Sequence, residues 1–424
     1  MKYLVNWHNE ELQKAVTEGL STKQLQILME SHDFFEFPQF ESGLFPAVSF
    51  SGADGTATGY RNSWMRDSAV IATELLRSGR TQPAQKAARG LLAALRSVEV
   101  FLDDIVSEGR APQEASERPP IRFVGQQSVP MMGWANAQND ALGYCLWCVG
   151  SLVSEKKLKL SEAEIKLLRK VLRYFQAIKY WRDEDSGHWE ETPKLESSSV
   201  GTVMAGISAV RPFVGEAALC DTLLDRGQKM LDRTLPDESI GKGTRRNADA
   251  ALLFLVEPLG IIDGSVAHTI ISDIEHELSG DYGVRRYVGD SYWAPDYRQH
   301  FDIVSRGTDF SSNGMAARDA FRRKGGEAQW TLSDPLLAVY YAKLYKRTKR
   351  KADKREANYR LLRSLGQIIN RPDRADSWCL PEAYCLEGSS WVPNDNLGLL
   401  WSHANLLYAV KVFGDTFGND VLRI

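Results

Sequence analysis

Two short segments of the sequence combine a glutamate with aromatic side chains, and both are candidates for acid–base chemistry. One is His188-Trp189-Glu190-Glu191, and the other is Leu380-Pro381-Glu382-Ala383-Tyr384. Glu190 and Glu382 suit a reaction in which one carboxylic acid protonates a leaving oxygen and one carboxylate activates water, as in the cleavage of a glycosidic bond. An indole ring beside a carboxylate also suits a sugar, because the ring can stack on the sugar face. Each glutamate taken alone is equally compatible with a solvated loop.

The same combination of tryptophan with charged or amide residues recurs in three other places. They are 63–67 with Trp64, Arg66 and Asp67, 134–140 with Trp134, and 283–293 with Arg285 and Arg286. Arg66 and Asp67 are neighbours at a predicted helix start, so they can donate to and accept from adjacent sugar hydroxyls. A site that bonds a particular hydroxyl rejects analogues lacking it more strongly than an apolar pocket does. These segments therefore predict a sugar site.

Other residues that often carry chemistry favour structural roles here. Cys145 and Cys148 lie in an apolar helical stretch with no second pair, and Cys379 and Cys385 are expected to be free thiols. The seven histidines are scattered without a metal-like spacing, so we expect no metal and no cofactor. His188 fits a core position better than a substrate contact. The other ambiguous aromatics are Trp147, Trp330 and Trp401, expected in the core, and Trp293 and Trp378, which suit core and cleft equally.

The elements that must position these segments are mostly helices. Apolar residues recur at helical spacing in about a dozen stretches, some of them apolar around most of their circumference, as in helices packed on both sides. The predicted helices span 9–31, 65–78, 83–106, 137–153, 162–180, 199–211, 214–233, 246–258, 264–278, 334–347, 352–369 and 397–413. The pattern favours a single all-α domain over residues 1–424, an (α/α)6 toroid with six inner and six outer helices.

The connections between these helices alternate in length. Long ones are predicted at 39–63, 107–133, 182–198, 279–331 and 371–396, with few strands, and they hold much of the Gly, Pro and Trp. Long loops inside a compact domain are commonly functional. We therefore expect the chemistry to lie on these connections.

Charge and hydropathy limit the partners of the chain. Its 424 residues include 52 basic and 55 acidic side chains, a formal net charge of −3, so no basic excess indicates nucleic acid. No apolar run reaches the roughly 18 residues that a membrane helix needs, and the N-terminus becomes polar too early for a secretory signal. We expect a cytoplasmic protein with no nucleic-acid or membrane partner, and the oligomeric state stays open.

Six motifs, in order, resemble the glucoamylase-like glycoside hydrolases of family 15 and the related N-terminal region of phosphorylase kinase α and β subunits. They are GLFPA with WMRDS (43–47, 64–68), WANAQNDALGY (134–144), HWEE with SSVGTVMAG (188–191, 198–206), GVRRYVGDSYW (283–293), GEAQWTLSDPLLAVYYA (326–342) and LPEAY with LGLLWSHANLLYA (380–384, 397–409). The resemblance implies an (α/α)6 toroid that hydrolyses α-glucoside oligosaccharides at their non-reducing ends with inversion.

The resemblance also implies a role for each matching residue. Glu190 matches the general acid, Glu382 the general base, and Glu191 a carboxylate that contacts the neighbouring sugar. With Glu191 and Trp189 beside it, Glu190 is expected to hold its proton more tightly than an exposed carboxyl, whereas Glu382 is expected to stay ionised. The remaining substrate-binding matches are Arg66 and Asp67 on the terminal glucose, Trp134 as a platform, Arg286 on sugar hydroxyls, and Trp64 and Trp189.

The chain departs from that family pattern at the mouth of the expected cleft. Asn136-Ala137-Gln138 stands where the family has Arg-Pro-Gln, and the Gly-rich loop 49–63 is expected to narrow or cover the cleft. Neither an N-terminal β-sandwich nor a starch-binding module is recognised, so short soluble α-glucosides are the expected substrates. The α-1,4, α-1,6 and α,α-1,1 linkages stay open.

Two other functions are compatible with the same motifs. One is a non-catalytic carbohydrate-sensing or regulatory toroid, which the phosphorylase kinase resemblance motivates. The other is a glucosyl transferase, in which a sugar hydroxyl replaces the attacking water. A degenerate regulatory relative should have lost one carboxylate, so the presence of both Glu190 and Glu382 favours hydrolysis.

Overall fold

Helices alternate between an inner and an outer layer along the chain. The computed structural model describes residues 4–49, 59–241, 246–303, 305–307, 312–418 and 420–422. Its helices are α1 (Glu10–Glu18), α2 (Thr22–Ser31), α3 (Met65–Arg77), α4 (Thr81–Ser97), α5 (Glu99–Glu108), α6 (Asn139–Ser154), α7 (Glu162–Ile178), α8 (Ser197–Val214), α9 (Ala217–Thr234), α10 (Leu252–Val256), α11 (Gly264–Asp273), α12 (Tyr297–His300), α13 (Ser312–Asp319), α14 (Ser333–Thr348), α15 (Lys351–Gly366) and α16 (Leu400–Phe417). Its strands are β1 (Leu20–Ser21), β2 (Ser63–Trp64), β3 (Arg122–Val124), β4 (Val129–Pro130), β5 (Val284–Arg285), β6 (Gln329–Trp330), β7 (Ile369–Arg371), β8 (Arg374–Cys379), β9 (Ala383–Glu387), β10 (Ser390–Pro393) and β11 (Val421–Leu422).

Six helices form a closed inner ring. They are α3, α6, α8, α10, α14 and α16, and most of their residues are buried. Each packs against the next, and α16 returns to pack against α3. A helix that is apolar on all sides must be covered on all sides. This requirement explains why the nearly continuous apolar stretch of α6 lies in the ring.

The outer layer consists of amphipathic helices that alternate with the inner ones in the sequence. They are α2, α4, α7, α9, α11 and α15. In α7 one stripe is buried, and Ser161 and Glu164 form both hydrogen bonds of the predicted capping box. The alternation of inner and outer helices gives the predicted (α/α)6 toroid, and the all-α fold class is confirmed. Within the described ranges, no helix is both long and apolar enough to cross a bilayer.

Several predicted element boundaries are wrong for local reasons. The predicted helix 9–31 is two helices, because the chain turns at Gly19 with a positive φ of 98°. The predicted helix 83–106 breaks at Val98 into α4 and α5. The predicted helix 246–258 is the five-residue α10. Residues 371–396 were expected to be a loop, but they contain β8, β9 and β10 and the end of β7.

The long connections lead into the inner helices, and the connections that leave them are short. Small sheets stiffen the long ones, in the orders β10-β9-β6-β5 and β2-β3-β4. A further pair, β1 with β11, joins the two ends of the chain through Leu20 and Leu422. The predicted alternation in connection length is therefore present, and it gathers the long connections around one end of the ring.

Glycines allow α6 and α8 to approach each other closely. A Cβ built on Gly206 would lie 2.4 Å from the carbonyl oxygen of Gly143, and one on Gly143 would lie 2.8 Å from the carbonyl oxygen of Thr202. Neither backbone can move aside, since both belong to the inner ring. The sequence SSVGTVMAG, noted above as a motif, therefore has a packing function as well.

We expect Gly206→Ala to destabilise the protein although alanine is the better helix former. The overpacking should cost about 1–3 kcal/mol, which exceeds the roughly 1 kcal/mol that alanine gains in helix propensity. Gly414→Ala in α16 is the matched control, because its Cβ would meet only Thr22 Oγ1 at 3.5 Å. That variant should gain about 0.5–1 kcal/mol. Urea unfolding followed by circular dichroism measures both, and equal effects of the two substitutions would contradict the packing argument.

Candidate active site

A cavity of about 720 Å³, open to solvent on one side, lies where the long connections enter the inner ring. Its wall contains eight of the nine predicted site residues, and Glu191 is the exception. The lining residues are Ala47, Tyr60, Trp64, Arg66, Asp67, Trp134, His188, Trp189, Glu190, Arg286, Tyr292, Arg306, Arg318, Trp330, Leu332, Glu382, Leu399 and Trp401. The structure thus brings together residues from five separate connections.

Glu190 lies at the tip of a clamped loop. Asp185 and Lys194 pair through two backbone hydrogen bonds of 3.1 and 3.0 Å, which close the loop. Glu190 has a positive φ of 58°, an unusual conformation for a residue with a side chain. Gly187 is required in the same turn, since a Cβ there would lie 1.4 Å from Glu196 Oε2. The loop therefore holds Glu190 in a defined and strained backbone conformation.

Both carboxylate oxygens of Glu190 accept hydrogen bonds from rigid donors. Arg66 Nη2 donates to Oε1 at 3.0 Å, and Trp134 Nε1 donates to Oε2 at 2.8 Å. Trp134 is itself held from behind, because the Arg122 guanidinium lies 4.1 Å from its ring and 4.6 Å from the ring of Trp64. The position of the Glu190 carboxylate in the cavity is therefore fixed by residues outside its own loop, Arg66 on α3 and Trp134 before α6.

Glu191 points away from Glu190 and is 1% exposed. Its carboxylate accepts from Arg286 Nη2 at 3.1 Å and from Arg246 Nη2 at 2.9 Å, and Tyr287 donates a third bond at 2.5 Å. Burial alone would raise the pKa of Glu191, but these arginines and Lys194 hold it well below its usual range. Among the described residues, Glu190 and Glu191 have no hydrogen-bond partner in common, so these neighbours in the sequence have different electrostatic surroundings.

Glu382 is buried opposite, at 2% exposure, with its own set of donors. Tyr60 donates to Oε1 at 2.7 Å. Asn394, Asn396 and Tyr292 donate to Oε2 at 2.7, 2.8 and 3.3 Å. Burial raises the pKa of Glu382, and the amide and tyrosine hydrogen bonds oppose part of that rise. We expected Glu382 to stay ionised, and the structure adds that burial gives its carboxylate a higher proton affinity than a solvated one.

Arg66 and Asp67 begin α3 and lie side by side in the cavity wall, with Arg66 Nε 3.8 Å from Asp67 Oδ2. Arg66 also bonds Gln138 and Asp140 at 3.0 Å each. Burial raises the pKa of Asp67 to about 7, against the opposing effect of Arg66. Near neutral pH this carboxyl can therefore either donate or accept toward a hydroxyl. His188 also lines the wall, and burial lowers its pKa to about 4, so it is neutral there.

Arg286 is fixed in the wall by acidic partners. It bonds Asp290 through Nε and Nη2 at 2.6 and 2.5 Å and donates Nη1 to the Trp189 carbonyl at 3.4 Å. Its guanidinium also lies within 5.4 Å of the Trp189 and Trp330 rings. The indole of Trp189 donates to Asp249 at 2.8 Å. Arg286 therefore connects Glu191, which lies outside the cavity wall, to the cavity.

Sequence reasoning missed several members of the wall. Trp330 and Trp401, expected in the core, line the cavity, and so do Tyr60 and Tyr292. Their position in the sequence could have identified the two tryptophans. Trp330 precedes an inner helix and Trp401 lies at the start of another, and most of the correctly predicted wall residues also lie near the starts of inner helices. The tyrosines carry no such signal. Among the residues left open, Trp293 and Trp378 are fully buried and lie outside the wall.

The departures from the family pattern lie at 136–138 and in the loop 49–63, and only part of them can be placed. Asn136 is 2% exposed, and neither atom of its amide has a hydrogen-bond partner among the described residues. Of the Gly-rich loop 49–63, residues 50–58 lie outside the described residues, so the expectation that it narrows the cleft is untested. All five cysteines are buried free thiols, as expected. The described residues contain no group of His, Cys, Asp or Glu side chains arranged to hold a metal.

The toroid thus has two glutamates, Glu190 and Glu382, in a tryptophan-lined cavity where the long connections meet the inner ring. The sequence profile of glycosyl hydrolases family 15 matches residues 31–356. The chain therefore belongs to glycosyl hydrolase family 15. The family expected from the six motifs is confirmed.

Known proteins similar to this chain include regulatory and catalytic ones. The probable phosphorylase b kinase regulatory subunit alpha of Drosophila melanogaster is 24% identical over 236 residues, which is 50% of this chain and 18% of that protein. The chain thus spans less than a fifth of the curated relatives that it matches. A glycosidase variant solved in complex with glucose has a TM-score of 0.67 and 21% identity, covering 93% of this chain and 99% of that chain. A glucoamylase from Saccharomycopsis fibuligera has a TM-score of 0.59 and 12% identity, covering 99% of both chains.

We expect Asp67→Asn to change the pH dependence of stability. Because the folded pKa of Asp67 is about 7 and its ordinary value is 3.8, folding favours the protonated form. The stability that this group contributes is present at low pH and is lost as the pH rises from about 4 to 7. Relative to the wild type, Asp67→Asn should therefore become more stable over that range, by up to about 4 kcal/mol. Urea unfolding at pH 4.5 and 7.5 measures the change, and a difference independent of pH would contradict it.

Proposed function

We propose that this chain is an inverting, exo-acting α-glucoside hydrolase that releases β-glucose from the non-reducing ends of short α-glucosides of the maltooligosaccharide, isomaltose or trehalose type. Glu190 is the general acid and Glu382 the general base. The observation that carries the proposal is that both carboxylates line one cavity while each has its own set of donors. In an inverting hydrolase the acid and the base flank the scissile bond from opposite sides, with room for a water beside the base.

The donors around Glu190 suit an acid that must lose its proton. Glu190 gives a proton to the glycosidic oxygen as the bond from that oxygen to the anomeric carbon breaks. The carboxylate that remains then accepts from Arg66 at 3.0 Å and Trp134 at 2.8 Å. Hydrogen bonds to an ionised group are stronger than neutral ones, so these two donors stabilise the charge that develops in the transition state.

The burial of Glu382 suits the complementary step. A water attacks the anomeric carbon from the opposite face, and Glu382 takes the proton that this water loses. A raised pKa makes the carboxylate a stronger base as long as it stays ionised at the working pH. β-Glucose then leaves, and proton exchange with solvent restores the acid and the base.

The remaining wall residues would hold the terminal glucose. Arg66 and Asp67 present a donor and a carboxyl side by side, and Trp64, Trp189, Trp330 and Trp401 provide apolar faces. The cytoplasmic location, the single domain and the absence of nucleic-acid partners stay predictions of the sequence.

A carbohydrate-sensing toroid without turnover is the second candidate. The similarity to phosphorylase b kinase regulatory subunits favours it. Such a protein would bind sugar in the same cavity, and it would have no need for separate donor sets around two carboxylates. The two candidates therefore differ in whether the purified protein turns its ligand over.

Proton NMR of the purified protein with maltose, isomaltose, trehalose and maltotriose distinguishes these functions. Early appearance of the β anomer of glucose from one substrate is the expected result, and it names the linkage at the same time. Early α-glucose would exclude inversion. New glucosides in place of free glucose would indicate transfer to a sugar hydroxyl. Binding without any release would favour the sensing toroid.

We expect Glu190→Gln and Glu382→Gln each to reduce kcat at least a hundredfold, since each removes a proton-transfer group. Circular dichroism should show an unchanged fold, and calorimetry should show that sugar binding persists. Glu327→Gln is the control, because Glu327 is buried outside the cavity wall and accepts from the backbone N–H groups of Gly289 and Gly325 at 2.9 and 2.8 Å. If either cavity variant kept near-normal activity, its assigned role would be wrong.

A further inference from the structure

Two asparagines that no motif singled out converge on Glu382. Asn394 and Asn396 follow β10 directly and are each 1% exposed. Residues two apart in an extended chain face the same side, and both amides donate to the same carboxylate oxygen, Oε2, at 2.7 and 2.8 Å. The backbone of this segment pairs with that of Glu382 as well, since the Glu382 N–H donates to the Asn396 carbonyl at 2.9 Å.

The observed orientation of these amides costs free energy unless Glu382 is ionised, because it leaves their oxygens poorly hydrogen-bonded. Asn396 Oδ1 is buried with no hydrogen-bond partner among the described residues, and Asn394 Oδ1 accepts only a long bond of 3.4 Å from the Ala383 N–H. Rotating either amide by 180° would place its oxygen against Glu382 Oε2, which only a protonated carboxyl would tolerate. Both amides therefore favour the charged form of Glu382.

The two oxygens of Glu382 are consequently different. Within the part of the chain that the structure describes, Oε2 accepts from three side chains, whereas Oε1 accepts from Tyr60 alone at 2.7 Å. We propose that Asn394 and Asn396 are positioning residues that keep Glu382 ionised and leave its Oε1 as the atom that takes the proton from water. This inference rests on the proposed function for the role of Glu382 as base, but the ionisation of Glu382 can be measured without turnover.

Other titratable and charged groups also act on Glu382 from the elements packed around it. They are Tyr60 before β2, Tyr292 after β5, Arg286, and Asp67 on α3. The charge of Arg286 favours the ionised form of Glu382. Asp67 and Glu382 repel each other when both carboxylates are charged. Substitution of Asn394 leaves all four in place, whereas Asn396 also donates to the Tyr292 hydroxyl at 3.3 Å. A change in the titration of Glu382 that both asparagine variants share would therefore report the loss of the amide donors.

The first test is the pH profile of kcat/KM for Asn394→Ala and Asn396→Ala. Losing a donor to the charged carboxylate should move the acidic limb upward by about one pH unit, which lowers kcat/KM about tenfold on that limb while the loss shrinks at higher pH. KM should change less than kcat. Asn396→Asp keeps the shape of the side chain and adds a like charge, so it should shift the limb further. Asn9→Ala, a buried asparagine that caps α1, is the control and should keep the wild-type profile.

The second test does not depend on hydrolysis. In protein labelled with carbon-13 at the glutamate carboxyl, the signal of Glu382 is identified by its loss in Glu382→Gln and titrated with pH. A raised midpoint in both asparagine variants supports the proposal even if the wild type releases no glucose, in which case only the proposed function fails. Unchanged titration and superimposable pH profiles in a hydrolysing protein would overturn the positioning role and leave the function standing.

Discussion

The buried guanidinium of Arg66 is the interaction on which the site depends. An arginine at 5% exposure is stable only if its charge is paired, because an uncompensated buried charge costs several kcal/mol. Arg66 on α3 obtains its partners from the start of α6, through Gln138 and Asp140, and from the loop before α8, through Glu190. Three segments that lie far apart in the sequence meet at Arg66, because its buried charge must be paired. The position of Glu190, the proposed general acid, is thus a consequence of folding.

The two carboxylates show how one cavity gives the same side chain two environments. Glu190 accepts from a cation and an indole that approach from the wall, and its neighbour Glu191 is turned away into a cluster of arginines. Glu382 has no directly bonded cation, and its donors are neutral amides and phenols. Burial therefore dominates at Glu382 and raises its pKa, whereas direct charge pairing dominates at Glu191 and lowers it. Their adjacency in the sequence would have suggested the same environment for Glu190 and Glu191.

Much of this arrangement could be predicted from the sequence, and the failures have physical causes. Helical periodicity predicted the two rings, and the six motifs that resemble family 15 predicted eight residues of the cavity wall. Glu191 was misjudged because the positive φ of Glu190 reverses the chain, so neighbours in sequence face opposite sides. Asn394 and Asn396 were missed because residues 371–396 were interpreted as a loop, in which alternate positions have no common direction. Tyr60 and Tyr292 meet Glu382 only through tertiary contacts, which no local pattern encodes.

The closure of the inner ring determines how late in synthesis the cavity can be completed. Its last helix, α16, packs against its first, α3, and also supplies Trp401 to the cavity wall. At the usual 5–20 residues per second, a ribosome needs roughly 20–85 s to synthesise 424 residues. Arg66 and its partners up to Glu190 are synthesised in about the first half of that interval. The inner ring and the cavity wall can be completed only after α16, the last of the inner helices, has emerged.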